Sequence, residues 1–227
     1  MGLADRLASV RSGIADAARR AGRPADAITT IVVTKFHPVS VIEELFTLGV
    51  RDVGENRHQE AQAKAAALAQ LGLNWHFVGQ IQSKKARQVR AYARVIHSVD
   101  RPALVDALAS SADEVECFIQ VNLTEDPARG GVAPVDLLPL VDRVQATSGL
   151  RLLGLMAVAP IDTGEPESEP RAAFARVREL AEGVHRIAPE ATALSMGMSQ
   201  DYVAAILEGA THLRIGTAIT GKRPENS

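Results

Sequence analysis

A lysine closes the first β-rich run of the sequence. In Ile31-Val32-Val33-Thr34-Lys35 the alternation of side chains puts Ile31, Val33 and Lys35 on one face. If the two apolar residues line the inside of a barrel, the amine points inward at the strand's C-terminal end. Desolvation there lowers a lysine's pKa and makes it nucleophilic; the competing reading is a strand-end lysine that snorkels to solvent. A second group of candidates stands near the other end of the chain. Ser195-Met196-Gly197-Met198-Ser199 leads into a helical stretch from Gln200, with Ser199 placed as its N-cap, and a further strand ends Arg214-Ile215-Gly216-Thr217. Helix-start N–H groups, the hydroxyls of Ser199 and Thr217, and close backbone approach at Gly216 suit a phosphate. Asp201, in the helix's first turn, opposes one. Arg214 shares parity with His212 and Gly216 in an otherwise apolar strand, and a buried guanidinium requires an acceptor. That acceptor is either a protein carboxylate or a heteroaromatic ring nitrogen of a ligand.

Other chemistries have less support. The six histidines (His37, His58, His76, His97, His185, His212) form no H-x-x-x-H or H-x-H pair, so no metal site is expected. No G-x-S-x-G elbow exists for a serine nucleophile. Cys117 is the sole cysteine, which excludes an intrachain disulfide and a thiolate zinc site and points to a core thiol. Lys84, Lys85, Arg87, Arg90 and Arg94 put five cations in eleven residues, read as a solvated helix face or a surface for an anionic partner.

The elements that must position these residues alternate regularly. β-rich runs at 29–34, 50–54, 74–79, 93–99, 115–122, 152–158, 191–195 and 212–217 are separated by helical stretches at 39–48, 56–70, 81–91, 101–112, 135–148, 171–188 and 200–208. Eight such runs predict an α/β fold, a single (β/α)8 TIM barrel spanning 1–227 with no second domain. After Thr217 the remaining ten residues read as a short tail, so the eighth helix is absent. An additional N-terminal helix at 3–21, with Leu3, Leu7, Val10, Ile14, Ala17 and Ala18 as its apolar stripe, covers that gap. An open doubly wound sheet is the alternative, but neither G-x-G-x-x-G nor G-x-x-x-x-G-K-[ST] occurs. Two loops, 123–133 after strand five and 159–170 after strand six, either flank a ligand or are surface insertions; the second, Pro- and Glu-rich, reads as mobile. A net charge of −2 gives no ground for nucleic-acid binding. No apolar run approaches a membrane span and no secretory leader is evident, so a cytoplasmic location is expected.

Specific segments then narrow the reading. Val33-Thr34-Lys35, Gly54-Glu55-Asn56-Arg57 with Gln59-Glu60, Trp75-His76-Phe77-Val78-Gly79 with Gln82-Ser83, His97-Ser98-Val99-Asp100, Gln120-Val121-Asn122, Gly154-Leu155-Met156, Ser195-Met196-Gly197-Met198-Ser199 and Arg214-Ile215-Gly216-Thr217-Ala218-Ile219 occur in order along the chain. In these the chain resembles the fold-type III pyridoxal-phosphate proteins, and more closely the pyridoxal-phosphate homeostasis proteins, the YggS/PROSC family. The resemblance implies pyridoxal 5′-phosphate as cofactor, with Lys35 as the covalent Schiff-base residue and Arg214 facing the pyridine nitrogen. It implies Ser199, Gly216, Thr217 and the Met198 backbone at the phosphate, and Asn56 beside the ring. The family commonly has Ser where Thr34 stands, Lys-Pro where His37-Pro38 stands, and lysine where Arg129 stands. The implied role is intracellular homeostasis of this vitamin B6 cofactor, as a carrier without robust catalysis, with apo forms of pyridoxal-phosphate enzymes as acceptors.

An amino-acid racemase is the alternative, since alanine racemase uses the same barrel and cofactor. Racemisation needs a base on each side of the substrate, and the only tyrosines, Tyr92 and Tyr202, occupy no evident strand-end position. A cationic Arg214 at the pyridine nitrogen would also weaken the electron sink, an argument that applies equally to alanine racemase. A Schiff-base aldolase acting on a phosphosugar would use the same lysine and cradle without a cofactor.

Overall fold

The computed structural model describes residues 1–160 and 169–223. Eight parallel strands follow one another around a closed barrel: β1 (Thr29–Val33), β2 (Asp52–Glu55), β3 (Asn74–Phe77), β4 (Val95–Val99), β5 (Val115–Gln120), β6 (Leu150–Met156), β7 (Ala193–Ser195) and β8 (His212–Ile215). β8 closes on β1 with Thr29 opposite His212 and Val32 opposite Ile215. The expected (β/α)8 barrel is therefore present, with strand ends trimmed by one to three residues at most positions. Between the strands lie α2 (Val39–Thr47), α3 (His58–Ala67), α4 (Ala86–Arg90), α5 (Pro102–Leu108), α6 (Leu137–Gln145), α7 (Pro170–Ile187) and α8 (Tyr202–Leu207).

The N-terminal helix α1 (Leu3–Arg20) buries Leu3, Leu7, Val10, Ile14, Ala17 and Ala18, a stripe at helical spacing. It packs on α8 and on a short helix that follows β8, α9 (Thr217–Thr220). This corrects the tail reading: Ile215 ends the strand, Gly216 is the N-cap, Thr217 begins a helical turn, and the buried Ile219 anchors it. Arg6 reaches from α1 to the Ile219 carbonyl at 2.6 Å, satisfying a backbone acceptor that a helix end leaves open. The loop expected at 159–170 falls largely on 161–168, which lie outside the described residues.

Most of the core is apolar and lies between the strands and the helices. Cys117 belongs to it as a fully buried thiol that burial pushes up to about 12. The barrel interior is different. Val95, Phe118 and Met156 form a small apolar plug, and beside it sit buried His76, His97, Ser195 and Arg214 with the partly buried His212, where barrels of this kind usually stack branched apolar residues. The cationic run at 84–94 is not one solvated face. Arg90 is buried, donating at 2.9 Å to the Leu108 and Gly149 carbonyls and pairing with Asp113, so it ties the end of α4 to the connections before β5 and β6. No helix among the described residues is long and apolar enough to cross a membrane.

Candidate functional site

The C-terminal ends of the strands enclose a cavity of about 530 Å³, within the range of small-molecule and cofactor sites. Lys35, Asn56, Met198, Ser199, Arg214, Gly216 and Thr217 all line it. The sequence separates them by up to 182 positions; barrel closure brings β1 against β8 and unites them. Among the described residues three cations line the cavity, Lys35, Arg129 and Arg214, against one acid, Asp201. The loop after β5 flanks it through Arg129, whose guanidinium donates to the Ala159 carbonyl at 2.8 Å, and Val158, just past β6, lines it as well.

At Lys35 the parity expectation and the burial expectation part. Ile31 and Val33 do face the barrel interior, since a Cβ built on Gly54 would meet Ile31 Cγ2 at 3.0 Å and Val33 Cγ2 at 3.3 Å. β1, however, ends at Val33, and Lys35 sits in a turn, exposed at the cavity mouth. The turn is completed by Phe36 at φ +68°, a backbone conformation that a bulky residue adopts only when its surroundings enforce it. A buried ionic cluster provides the enforcement. Lys64 of α3 donates to the Thr34 carbonyl (2.9 Å) and pairs with Glu55 (2.7 Å) and Glu60 (2.6 Å), Thr34 Oγ1 donates to Glu55 (2.7 Å), and Phe36 N–H donates to Glu60 (2.6 Å). Burial pushes the Glu55 carboxyl above the usual range despite Lys64 beside it.

Arg214 meets no carboxylate among the described residues. Its acceptors are the Ser195 carbonyl and hydroxyl, both at 2.7 Å, and the Ala157 carbonyl at 2.8 Å, so backbone replaces the carboxylate. Burial lowers its pKa to about 10, which leaves it cationic at neutral pH. The three bonds use Nη1 twice and Nη2 once, and the group remains a wall of the cavity.

The hydroxyl and glycine patch also departs from expectation in detail. Ser199 does not cap the helix that follows it; its Oγ accepts Ala218 N–H at 3.2 Å and lies 3.5 Å from Thr217 Oγ1, joining the loops after β7 and β8. The N-cap position of α8 falls to Asp201, whose carboxylate caps no helix N–H and instead accepts the Met198 N–H three residues back. Gly197 permits the sharp exit from β7, with φ +94° and Ala205 Cβ only 2.6 Å from where its own Cβ would stand. At Gly216 nothing comes closer than 3.7 Å to a built Cβ, so protein packing alone does not demand glycine there.

Asn56 Oδ1 is buried without a hydrogen-bond partner, an expensive condition for a polar atom. Neither tyrosine lines the cavity. Tyr92 contacts His58 Nδ1 at 3.3 Å on the outside of the barrel, and Tyr202 packs against Gly13 of α1. The Lys64 cluster was missed by sequence reasoning. Its available signals were the i,i+4 spacing of Glu60 and Lys64 and the neighbouring Glu55, but a lysine in an Ala-rich helix reads as solvent-facing.

Three comparisons bear on this geometry. The model of the family "Alanine racemase, N-terminal domain" matches residues 7–224. The pyridoxal phosphate homeostasis proteins of Corynebacterium glutamicum and Pseudomonas aeruginosa are each 41% identical to the chain; the matches span 213 residues (89% of this chain, 93% of the relative) and 225 residues (97% and 96%). The structure of PipY from Synechococcus elongatus PCC7942 with PLP bound superposes with a TM-score of 0.83 at 37% identity, covering 97% of this chain and 100% of PipY.

Proposed function

The chain belongs to the alanine racemase N-terminal domain family and, within it, to the pyridoxal phosphate homeostasis (YggS/PROSC) proteins, and from that premise we propose that its cavity holds pyridoxal 5′-phosphate on Lys35 and releases it to other proteins. The observation that carries this reading is the convergence of an amine, a guanidinium and a hydroxyl and glycine patch on one cavity. The residues fit the group. Asn56 Oδ1 lacks a partner, Gly216 leaves space that its neighbours do not fill, and the cationic lining suits an anion.

Bound pyridoxal phosphate supplies an aldehyde that condenses reversibly with amines and a ring able to draw electrons. Lys35, the one lysine that lines the cavity among the described residues, would hold the group through its amine. Its exposed position at the mouth keeps this linkage open to water or to a competing amine, as release requires. Arg214, a donor that does not give up its proton at neutral pH, would stand at the ring nitrogen and disfavour its protonation. Ser199 and Thr217 donate hydroxyls to the phosphate beside the backbone of Gly216, with Met198 N–H joining them once Asp201 yields it. Asn56 contacts the ring's polar edge.

The placement of the tyrosines supports a carrier over a racemase, because no tyrosine opposes Lys35 across the cavity. The test has two halves. In deuterated water with L- or D-alanine the loaded protein is expected to show no multiple-turnover racemisation, and mixed with an apo-aminotransferase it is expected to restore activity beyond a free-cofactor control. Racemisation that disappears in Lys35→Ala would make the protein an enzyme and overturn the carrier reading.

A further inference from the structure

A line of polar side chains runs through the barrel core from the cavity to the opposite mouth. Arg214 Nη1 lies 2.7 Å from Ser195 Oγ, which lies 2.8 Å from His97 Nδ1; His97 Nε2 lies 3.0 Å from His76 Nδ1, and His76 Nε2 lies 3.1 Å from Asp52 Oδ1. Ser195 and His97 are fully buried and His76 is 3% exposed. Asp52 is the first residue of β2, so the line ends where the strands begin, in a separate cavity of about 370 Å³. Such a chain is not needed to hold the barrel together, where apolar side chains would serve.

With neutral rings between them, the chemistry of the two ends fixes the direction of every bond. Arginine only donates and an ionised carboxylate only accepts. With both rings neutral, His76 Nε2–H donates to Asp52, which leaves His76 Nδ1 bare to accept from His97 Nε2–H. His97 Nδ1 is then bare and accepts the Ser195 hydroxyl proton, and the free lone pairs of that hydroxyl accept Arg214. Burial holds the His97 ring well below the usual histidine range, and His76 beside Asp52 keeps that carboxyl below its usual value, so both carry the charge states this order needs. Phe118 stacks on the His97 ring at 4.6 Å between centroids and resists its reorientation.

We propose that Ser195, His97, His76 and Asp52 are positioning residues, a directional hydrogen-bond relay that holds the Arg214 guanidinium in the cavity wall from the far end of the barrel. The relay rests on the cofactor reading only for its effect on the ring; its tautomers and its hold on Arg214 belong to the protein alone. The effect on the ring implies a specific signature. Breaking the relay weakens pyridoxal phosphate and unphosphorylated pyridoxal alike, since the disturbed contact is at the ring and not at the phosphate.

Long-range 1H–15N spectra of the labelled apo-protein test the order of the bonds directly. The expected result is the Nε2–H tautomer at both His76 and His97, with a resolved, slowly rotating Arg214 guanidinium; an Nδ1–H tautomer at His97 would overturn the relay. In Asp52→Leu, His97 is expected to lose its single tautomer and both ligands to bind about tenfold more weakly, the scale of one lost buried hydrogen bond. Asp52→Asn, which keeps an acceptor for His76, is expected to stay within about twofold of wild type. Should Asp52→Leu fail to fold, Ser195→Ala removes the central hydroxyl with minimal change of volume and is expected to weaken both ligands equally. Unchanged affinities, or a loss confined to the phosphorylated ligand, contradict the proposal. A wild-type protein that binds neither ligand sinks the cofactor reading instead, and the tautomers and guanidinium signals then decide the relay by themselves.

Discussion

Ser199 and Thr217 illustrate how a side chain's work depends on which loop it meets. Alone in the sequence each is an ordinary hydroxyl; in the fold they stand 3.5 Å apart on the loops after β7 and β8, beside Gly216. Ser199→Ala combined with Thr217→Val should weaken pyridoxal phosphate far more than unphosphorylated pyridoxal, because hydrogen bonds to a charged group contribute roughly 1.5–3 kcal/mol each. A binding titration with the two ligands measures the difference, and equal losses would place the phosphate elsewhere. At this scale the sequence was informative about which residues meet and less so about how. Parity found the inward face of β1 and of β8, yet Lys35 is exposed because the chain turns at Phe36, a backbone choice with no side-chain signal. Arg214 found backbone acceptors, which no sequence motif announces.

Among the elements, the strands and α1 were legible because their apolar periodicities are long and clean, and the six buried residues of α1 stand at the spacing its sequence shows. α9 was not, since four residues are too few to carry a period. The Lys64 cluster was hidden for a related reason: its partners come from β2, α3 and the β1 turn, and only closure of the barrel brings them together. The interior faces of β4 and β8 carry a consequence for stability. Burial lowers the pKa of His97 and brings that of His212 from 6.5 to about 4. Between those values the unfolded chain binds the protons that the folded one refuses, so stability is fully present above about pH 6.5 and falls as the pH drops through that window. For His212 the loss amounts to at most about 3 kcal/mol. Chemical denaturation from pH 7 to 4 should show this decline, and His212→Gln should flatten it; an unchanged slope in the variant would remove His212 from the account.

For the molecule as a whole, the barrel divides its labour between its two ends and its middle. The C-terminal end gathers the candidate ligand groups, the interior carries a polar layer in place of the usual apolar one, and α1 with α9 covers the side on which β8 has no long helix behind it. An exposed lysine at the mouth, braced from beneath by a buried ionic cluster, suits a site that takes up and gives back its ligand. The claim on which this account depends is the covalent attachment at Lys35. Borohydride reduction of the protein loaded with pyridoxal phosphate, with the visible spectrum recorded before and after and the modified peptide mapped by mass, tests it most directly. The account predicts a visible band lost on reduction, a pyridoxyl group on Lys35, and no fixed adduct in a Lys35→Ala protein that melts as the wild type does; recovery of the group mainly on Lys84 or Lys85 would contradict it.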